Sequence, residues 1–187
     1  MQSIDIHLAE MSGWRALLGK CQFTAKSELH PLLEEYLVRL LFRTTKSTDS
    51  DKLAQAFDPF KRFTDNPLVN SEEFRAIGDH CLVYSGLFPE QAILRNLPIS
   101  YFVKVGCDAY AEYAQYSDDP VYRMLSTFFV DVMDVLLTLR EVEQKEVVID
   151  PLNAYHLWRD TGSAAAWKFL GRHTLCLPGN DVSIAIN

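Results

Sequence analysis

The sequence predicts an all-α protein, a multi-helix bundle of six to seven helices with an irregular or extended C-terminal tail. Two observations predict this class. Apolar residues recur at helical spacing from about residue 30 onward, and residues typical of helix starts and ends separate these stretches. The chain has 187 residues, of which 48% are hydrophobic, so it can bury a substantial core. We expect residues 1–187 to form a single helical domain, in which residues 1–29 are an N-terminal segment of uncertain structure.

The first predicted helix begins at Pro31, because proline suits the first turn of a helix. Its leucines and Tyr36 form one apolar stripe, and the helix is expected to end at about Thr44. A polar loop, a short helix and a turn-rich connector are expected next, over 46–51, 53–57 and 63–67.

The central helices are predicted from their boundary residues. Asn70 to Glu73 reads as a capping box that starts a helix, and Gly86 is expected to end it at about Ser85 in a left-handed conformation. A further helix is expected from Ser100 to about Tyr116.

The C-terminal part predicts one long and two shorter helices. The long helix is expected over 121–144, with Phe128 and Phe129 both in its apolar stripe. The shorter helices are each bracketed by start and stop signals: Asp150-Pro151 to Gly162, and Ser163 to Leu170 before Gly171. A Pro-Gly turn and alternating apolar residues make 173–187 an extended tail.

The charge balance and hydropathy exclude several classes of function. The net charge of −7 is acidic, and no Lys/Arg cluster offsets it, so we do not expect nucleic-acid binding. No apolar run exceeds four residues, whereas a membrane span needs about 18 or more. The first residues lack the basic and apolar regions of a signal peptide. We therefore expect a cytoplasmic protein that does not insert into a membrane.

Metal and cofactor signatures are missing from the sequence. The four cysteines form no Cys-x-x-Cys pair, so packed, reduced thiols are expected rather than disulfides or a zinc site. No histidine has an acidic residue three positions before it, which excludes the Glu-x-x-His pairs of di-iron bundles. Asp131 and Asp134 have the spacing of a metal-diphosphate motif. On the helical wheel, however, Asp134 points away from the apolar stripe and Asp131 lies at its border, so a solvated face is expected. We predict no metal site and no cofactor.

The strongest candidate site lies between the two central helices. Asp79 shares a helix face with Leu82 and Val83, which would draw its carboxylate toward the interior, with His80 beside it. Tyr110 and Tyr113 lie on the apolar arc of the next helix, and buried tyrosine hydroxyls also need partners.

Small residues would allow these two helices to approach closely, since Gly78 lies on one and Gly106 on the other. Such a cluster is either a small acid/base or ligand site, or a satisfied structural network that fixes the register of the helices. The structural interpretation is the stronger of the two.

Two further residues complete the candidate set. Glu90 follows the distinctive connector Ser85-Gly86-Leu87-Phe88-Pro89, where the start of a new turn favours a negative charge. Tyr101 lies in the first turn of the second central helix. The candidate ligand-binding residues are Asp79, His80, Glu90, Tyr101, Tyr110 and Tyr113, and no catalytic residue is assigned.

Three segments resemble a known family. The pattern Gly-Asp-x-Cys-Leu-x-x-Ser-Gly-Leu-Phe-Pro-Glu over 78–90, the Ser-Tyr-Phe and Gly-x-x-Ala-Tyr elements over 100–110, and Leu-Trp-x-x-Thr-Gly-Ser over 157–163 are similar to an uncharacterised family of bacterial, mainly proteobacterial, all-helical proteins. The resemblance covers about residues 30–172. It implies a cytoplasmic bacterial protein, and it implies no activity.

The sequence favours a helical binding or regulatory protein that acts through protein contacts, because recognisable catalytic motifs are missing. The wide apolar arcs of several helices and the 12% aromatic content also predict a homodimer. The alternative is an enzyme or small-molecule binder that uses the polar cluster around Asp79, His80 and Tyr110.

Overall fold

A computed structural model describes residues 2–25, 27–46, 71–94, 96–144 and 149–173 of the chain. These residues are helical apart from short connectors and contain no strand, which confirms the all-α class. Within them lie nine helices, or eight if the two separated only by Phe128 are taken as one. They are α1 (Gln2–Ala25), α2 (Pro31–Lys46), α3 (Ser71–Gly86), α4 (Pro89–Leu94), α5 (Ile99–Tyr113), α6 (Val121–Thr127), α7 (Phe129–Gln144), α8 (Pro151–Thr161) and α9 (Ala164–His173).

The core is built around α3. This helix packs most extensively against α5, while α7 lies against α1, α3 and α9. From Ile77 to Gly86 the residues of α3 are buried, with only His80 partly exposed. Burial on all sides is the mark of a central helix, as the sequence predicts for this segment.

Glycines permit the close approach of the central helices. A Cβ atom added to Gly78 would lie 2.6 Å from the ring of Tyr110 on α5. A Cβ atom added to Gly106 would collide with the Phe129 ring and lie 2.9 Å from Cβ of Cys81 on α3. The predicted position of both glycines at helix contacts is therefore confirmed.

Gly86 was expected to end α3 in a left-handed conformation. The helix does end at Gly86, close to the predicted boundary, but the residue has no positive φ and lies buried against α7, so the expected left-handed conformation is wrong. A Cβ atom there would lie 2.6 Å from Cβ of Leu136. Close packing of α3 on α7, rather than backbone conformation, explains the glycine.

The predicted long helix over 121–144 is interrupted at Phe128. This residue has φ −106° and ψ 25°, and its amide donates to the carbonyl of Met124 at 2.8 Å. The break places Phe129 in the core beside Gly106 and turns Phe128 outward, with 45% of its surface exposed. The break assigns the two adjacent phenylalanines opposite environments.

The predicted start and end of α8 are confirmed. Asp150 caps the helix by accepting from the amides of Leu152 and Asn153, and Gly162 ends it with φ 76°. The expectation that Gly171 ends the last helix is wrong, because α9 continues to His173. The His173 ring stacks on Phe169 one turn earlier, with centroids 4.0 Å apart, and this contact supports the added turn.

Residues 2–25 form α1, for which the sequence predicted no structure. This helix packs on α2 and α7, with Leu18 and Cys21 fully buried. Several expectations fall outside the described residues: the loop, short helix and connector between 47 and 70, the capping residue Asn70, and the tail from 174. No described helix is both long and apolar enough to cross a membrane.

Candidate functional site

The carboxylate of Asp79 lies at the centre of a buried polar network. Asp79 is only 8% exposed, as its position beside Leu82 and Val83 predicts. The hydroxyl of Tyr110 on α5 donates to Oδ1 at 2.8 Å, and the hydroxyl of Tyr36 on α2 donates to the same oxygen. The network therefore joins α2, α3 and α5 through a single carboxylate oxygen.

Two arginines face the other oxygen of Asp79. Nη2 of Arg43 on α2 and Nη1 of Arg75 on α3 each lie 3.4 Å from Oδ2. Arg75 stands one helical turn before Asp79, so its contact is within the helix, whereas Arg43 reaches from a separate helix. The buried negative charge is thus compensated, and both carboxylate oxygens have donors.

A layer of tyrosine rings covers the network. The Tyr122 ring on α6 meets the rings of Tyr36, Tyr110 and Tyr113 at centroid distances of 5.7, 6.3 and 4.4 Å. The Tyr113 hydroxyl donates to Glu72 at 2.8 Å. Since Glu72 also accepts from Arg75, this outer layer is tied back to the arginine that faces Asp79.

Burial fixes the protonation of these tyrosines. Loss of solvent, followed by the neighbouring charge of Asp79, raises the pKa of Tyr110 and of Tyr36 far above the ordinary value. Burial also raises the pKa of Tyr122 to about 12. All three hydroxyls therefore stay protonated at neutral pH. Tyr110 and Tyr36 donate hydrogen bonds to Asp79, and none of the three can act as a general base there.

His80 lies next to Asp79 in sequence, but its ring belongs to a different contact. Nδ1 is 2.6 Å from the carbonyl oxygen of Ala76, one turn earlier in α3. Burial lowers the pKa of His80, which favours a neutral imidazole that donates to this carbonyl. The donors to Asp79 are the tyrosines and arginines rather than this histidine.

The structure places Glu90 and Tyr101 outside the Asp79 network. Glu90 accepts from Arg140 on α7 at 2.7 Å, and Arg140 also donates to the carbonyl of Leu87, so the pair anchors the connector to α7. Tyr101 is partly exposed and meets Phe102 edge-on at 5.8 Å. Of the six sequence candidates, Asp79 and Tyr110 share the centre of the network and Tyr113 joins its outer layer.

Five network residues were not among the sequence candidates: Tyr36, Arg43, Glu72, Arg75 and Tyr122. Arg75 could have been found, because it stands four residues before Asp79 on the same helix. Tyr36 and Arg43 lie two turns apart on α2 and share a face. That spacing predicts that the two act together, but it does not indicate their partner.

Asp134 forms a second buried polar centre, which corrects the expectation of a solvated face. It is 5% exposed and accepts from the Ser163 hydroxyl at 2.5 Å and from the amides of Ala164 and Ala165. A carboxylate on α7 therefore caps the N-terminus of α9. Asp131 is exposed, as expected. The helical wheel failed because α7 is buried on all sides from Val132 to Leu139.

Burial raises the pKa of Asp134 to about 6, although its three hydrogen bonds act in the opposite direction. The described cysteines, Cys21, Cys81 and Cys107, are free thiols, the first two buried, and Cys176 lies outside the described residues. Among the described side chains, no group of three His, Cys, Asp or Glu residues is placed to hold a metal ion.

Comparison with known proteins gives no significant match: no family model, no curated protein and no solved structure is similar to the chain. The resemblance to the bacterial family carried by residues 78–90 stays a prediction.

Proposed function

We propose that the chain is a helical binding or regulatory protein that acts through protein contacts, and that the Asp79 network serves its architecture. One observation carries the proposal: both oxygens of the Asp79 carboxylate already face donors from the chain itself. A ligand at this carboxylate would have to displace a buried tyrosine hydroxyl or an arginine, and each displaced group would lose its partner.

The contacts of the network are suited to fixing the register of the helices. It links α2 to α3 and α5, and the Tyr110 ring lies against Gly78, so a shift of either helix would break a buried hydrogen bond. Leaving a buried charge without its partner costs about 3–5 kcal/mol, which makes a satisfied network strongly selective for one packing arrangement.

The outer surface supports the proposed protein contacts. Large apolar side chains are exposed on several helices, among them Phe23 at 88% and Leu94 at 74%. We propose that the protein forms a homodimer that covers part of this surface. Buried free thiols at Cys21 and Cys81 support a reducing compartment, in line with a bacterial cytoplasmic protein.

Light scattering coupled to gel filtration tests the proposed self-association. Over about 1–100 µM, concentrations at which contacts of micromolar affinity become populated, the mass should approach twice the monomer mass of 21.4 kDa. A mass that stays at the monomer value throughout this range would remove the homodimer.

The alternative is an enzyme or small-molecule binder built on Asp79, His80 and Tyr110. One observation favours it: the side chain of Arg43, which faces Asp79, is 49% exposed, so the network is in contact with solvent through this arginine. Replacing Asp79 with asparagine separates the two proposals, because it preserves shape while removing charge.

A further inference from the structure

A cleft of about 510 Å³ lies on another part of the molecule, where α9, the α1–α2 connector and the α6–α7 break meet. Its volume falls within the range of about 300–1,000 Å³ that is typical of binding pockets. The floor is apolar and includes the buried Leu29 and Leu33, together with Met124. Phe128, turned outward by the helix break, forms part of the wall.

Charged groups line this cleft unevenly. Among the lining residues that the structure describes, Glu28, Asp131 and Asp134 contribute three carboxylates, against the ammonium group of Lys168. His30 also lines the cleft, and its Nδ1 accepts from the amide of Leu32 at 3.2 Å. The cleft therefore combines an apolar floor with a negative charge balance.

Two of these charges are already engaged within the fold. Lys168 donates to the carbonyl of Thr24, near the end of α1, at 2.9 Å. Asp134 is held by Ser163 and the first amides of α9. Glu28 and Asp131 are exposed at the rim, where they can meet a cation approaching from solvent. Lys168 is also exposed and keeps its positive charge, so the described lining offers a partner two exposed carboxylates against one ammonium group, beside an apolar contact surface.

We infer that this cleft docks a segment of a partner protein that carries lysine or arginine beside apolar side chains. The apolar side chains would enter the floor beside Phe128, and the cation would face Asp131 and Glu28. This inference rests on the proposed function in protein binding and assigns it a surface and a partner chemistry. A few well-packed residues near the centre of an interface usually carry most of the binding energy, and Phe128 would be such a residue here.

Two synthetic peptides test the inference. Each has about 14 residues with leucines at helical spacing. At alternate positions on the side that would face the rim, one peptide carries lysine and the other carries glutamate. We expect the lysine peptide to bind the full chain in a fluorescence-anisotropy titration, and the glutamate peptide to bind at least about tenfold more weakly.

Matched variants locate the binding site. Phe128→Ala and Asp131→Lys should each weaken binding of the lysine peptide by at least about tenfold. The controls are Leu152→Ala, an exposed apolar residue of α8, and Asp108→Lys, an exposed acid of α5, neither of which lines the cleft. Thermal melting of each variant verifies that the fold is retained.

The inference is overturned if neither peptide binds, if both bind equally, or if Asp108→Lys weakens binding as much as Asp131→Lys. The last result would show attraction to the acidic surface as a whole. Failure of the proposed homodimer is observed separately, as a monomer mass in light scattering, so the two outcomes are distinguishable.

Discussion

Tyr110 and Asp79 are joined by a 2.8 Å hydrogen bond across the packed helices α5 and α3, and Tyr110 has no exposed surface. The bond is one of four contacts that satisfy the carboxylate, and it lies beside the glycine that allows the helices to approach. The close packing of α3 on α5 and the hydrogen bonding of the buried Asp79 carboxylate therefore depend on each other.

Removing the carboxylate should destabilise the fold. Asp79→Ala leaves the hydroxyls of Tyr36 and Tyr110 without their acceptor, so we expect a loss of roughly 1–3 kcal/mol in the free energy of unfolding. Urea denaturation measures it, with Asp108→Ala, an exposed acid on α5, as the control. A loss no larger than that of the control would contradict the structural role.

Asp79→Asn distinguishes a structural role of the Asp79 network from a role in ligand binding or catalysis. The amide oxygen can still accept from a tyrosine hydroxyl, so a structural network should survive with a modest loss, smaller than that of Asp79→Ala. The comparison is made by urea denaturation of both variants. If the asparagine variant keeps its stability but loses a bound ligand or an activity that the wild type has, the small-molecule alternative is favoured.

Close packing at Gly106 should not tolerate a side chain. Gly106→Leu must displace the Phe129 ring and press on Cys81, and we expect a cost of about 1–3 kcal/mol or more. Gly13→Leu is the matched control, because a Cβ atom at Gly13 meets nothing within 4 Å. A melting temperature of Gly106→Leu that equals or exceeds that of the wild type would show that the packing argument is wrong.

The buried Asp134 should make stability depend on pH. Its pKa of about 6 in the folded state exceeds the ordinary value of 3.8, so the folded chain binds this proton more tightly than the unfolded chain. The resulting stabilisation is fully present below about pH 3.8 and is lost as the pH rises through 6. Compared with Asp134→Asn, the wild type should gain up to about 3 kcal/mol on acidification across this window.

Urea denaturation of both proteins between pH 4 and pH 7 measures this difference, because their other titrating groups are the same. A difference in unfolding free energy that stays constant with pH would contradict the raised pKa.

The sequence predicts the contacts between helices that follow one another closely in the chain. Asp79 and Tyr110 are found because α3 and α5 follow each other closely in the chain and each carries a clear apolar face. Tyr36 and Tyr122 are missed as partners because they come from α2 and α6, and helical periodicity shows which face is buried but not what covers it.

Two other expectations fail for a related reason. Gly86 was expected to be left-handed at the end of α3, whereas its contact with Leu136 on α7 explains the glycine. Asp134 was assigned to solvent from the pattern of its own helix, whereas α1, α3 and α9 all pack around α7. In both cases a distant helix determines the environment, and no local pattern records it.

A double-mutant cycle between Asp79→Ala and Tyr110→Phe tests the central claim most directly. Urea denaturation of the wild type, both single variants and the double variant gives the coupling free energy between the two side chains. The structure predicts a favourable coupling of about 1 kcal/mol or more, because each single change removes the same buried hydrogen bond. A coupling near zero, with additive losses, would contradict a network in which Asp79 and Tyr110 hold α3 and α5 together.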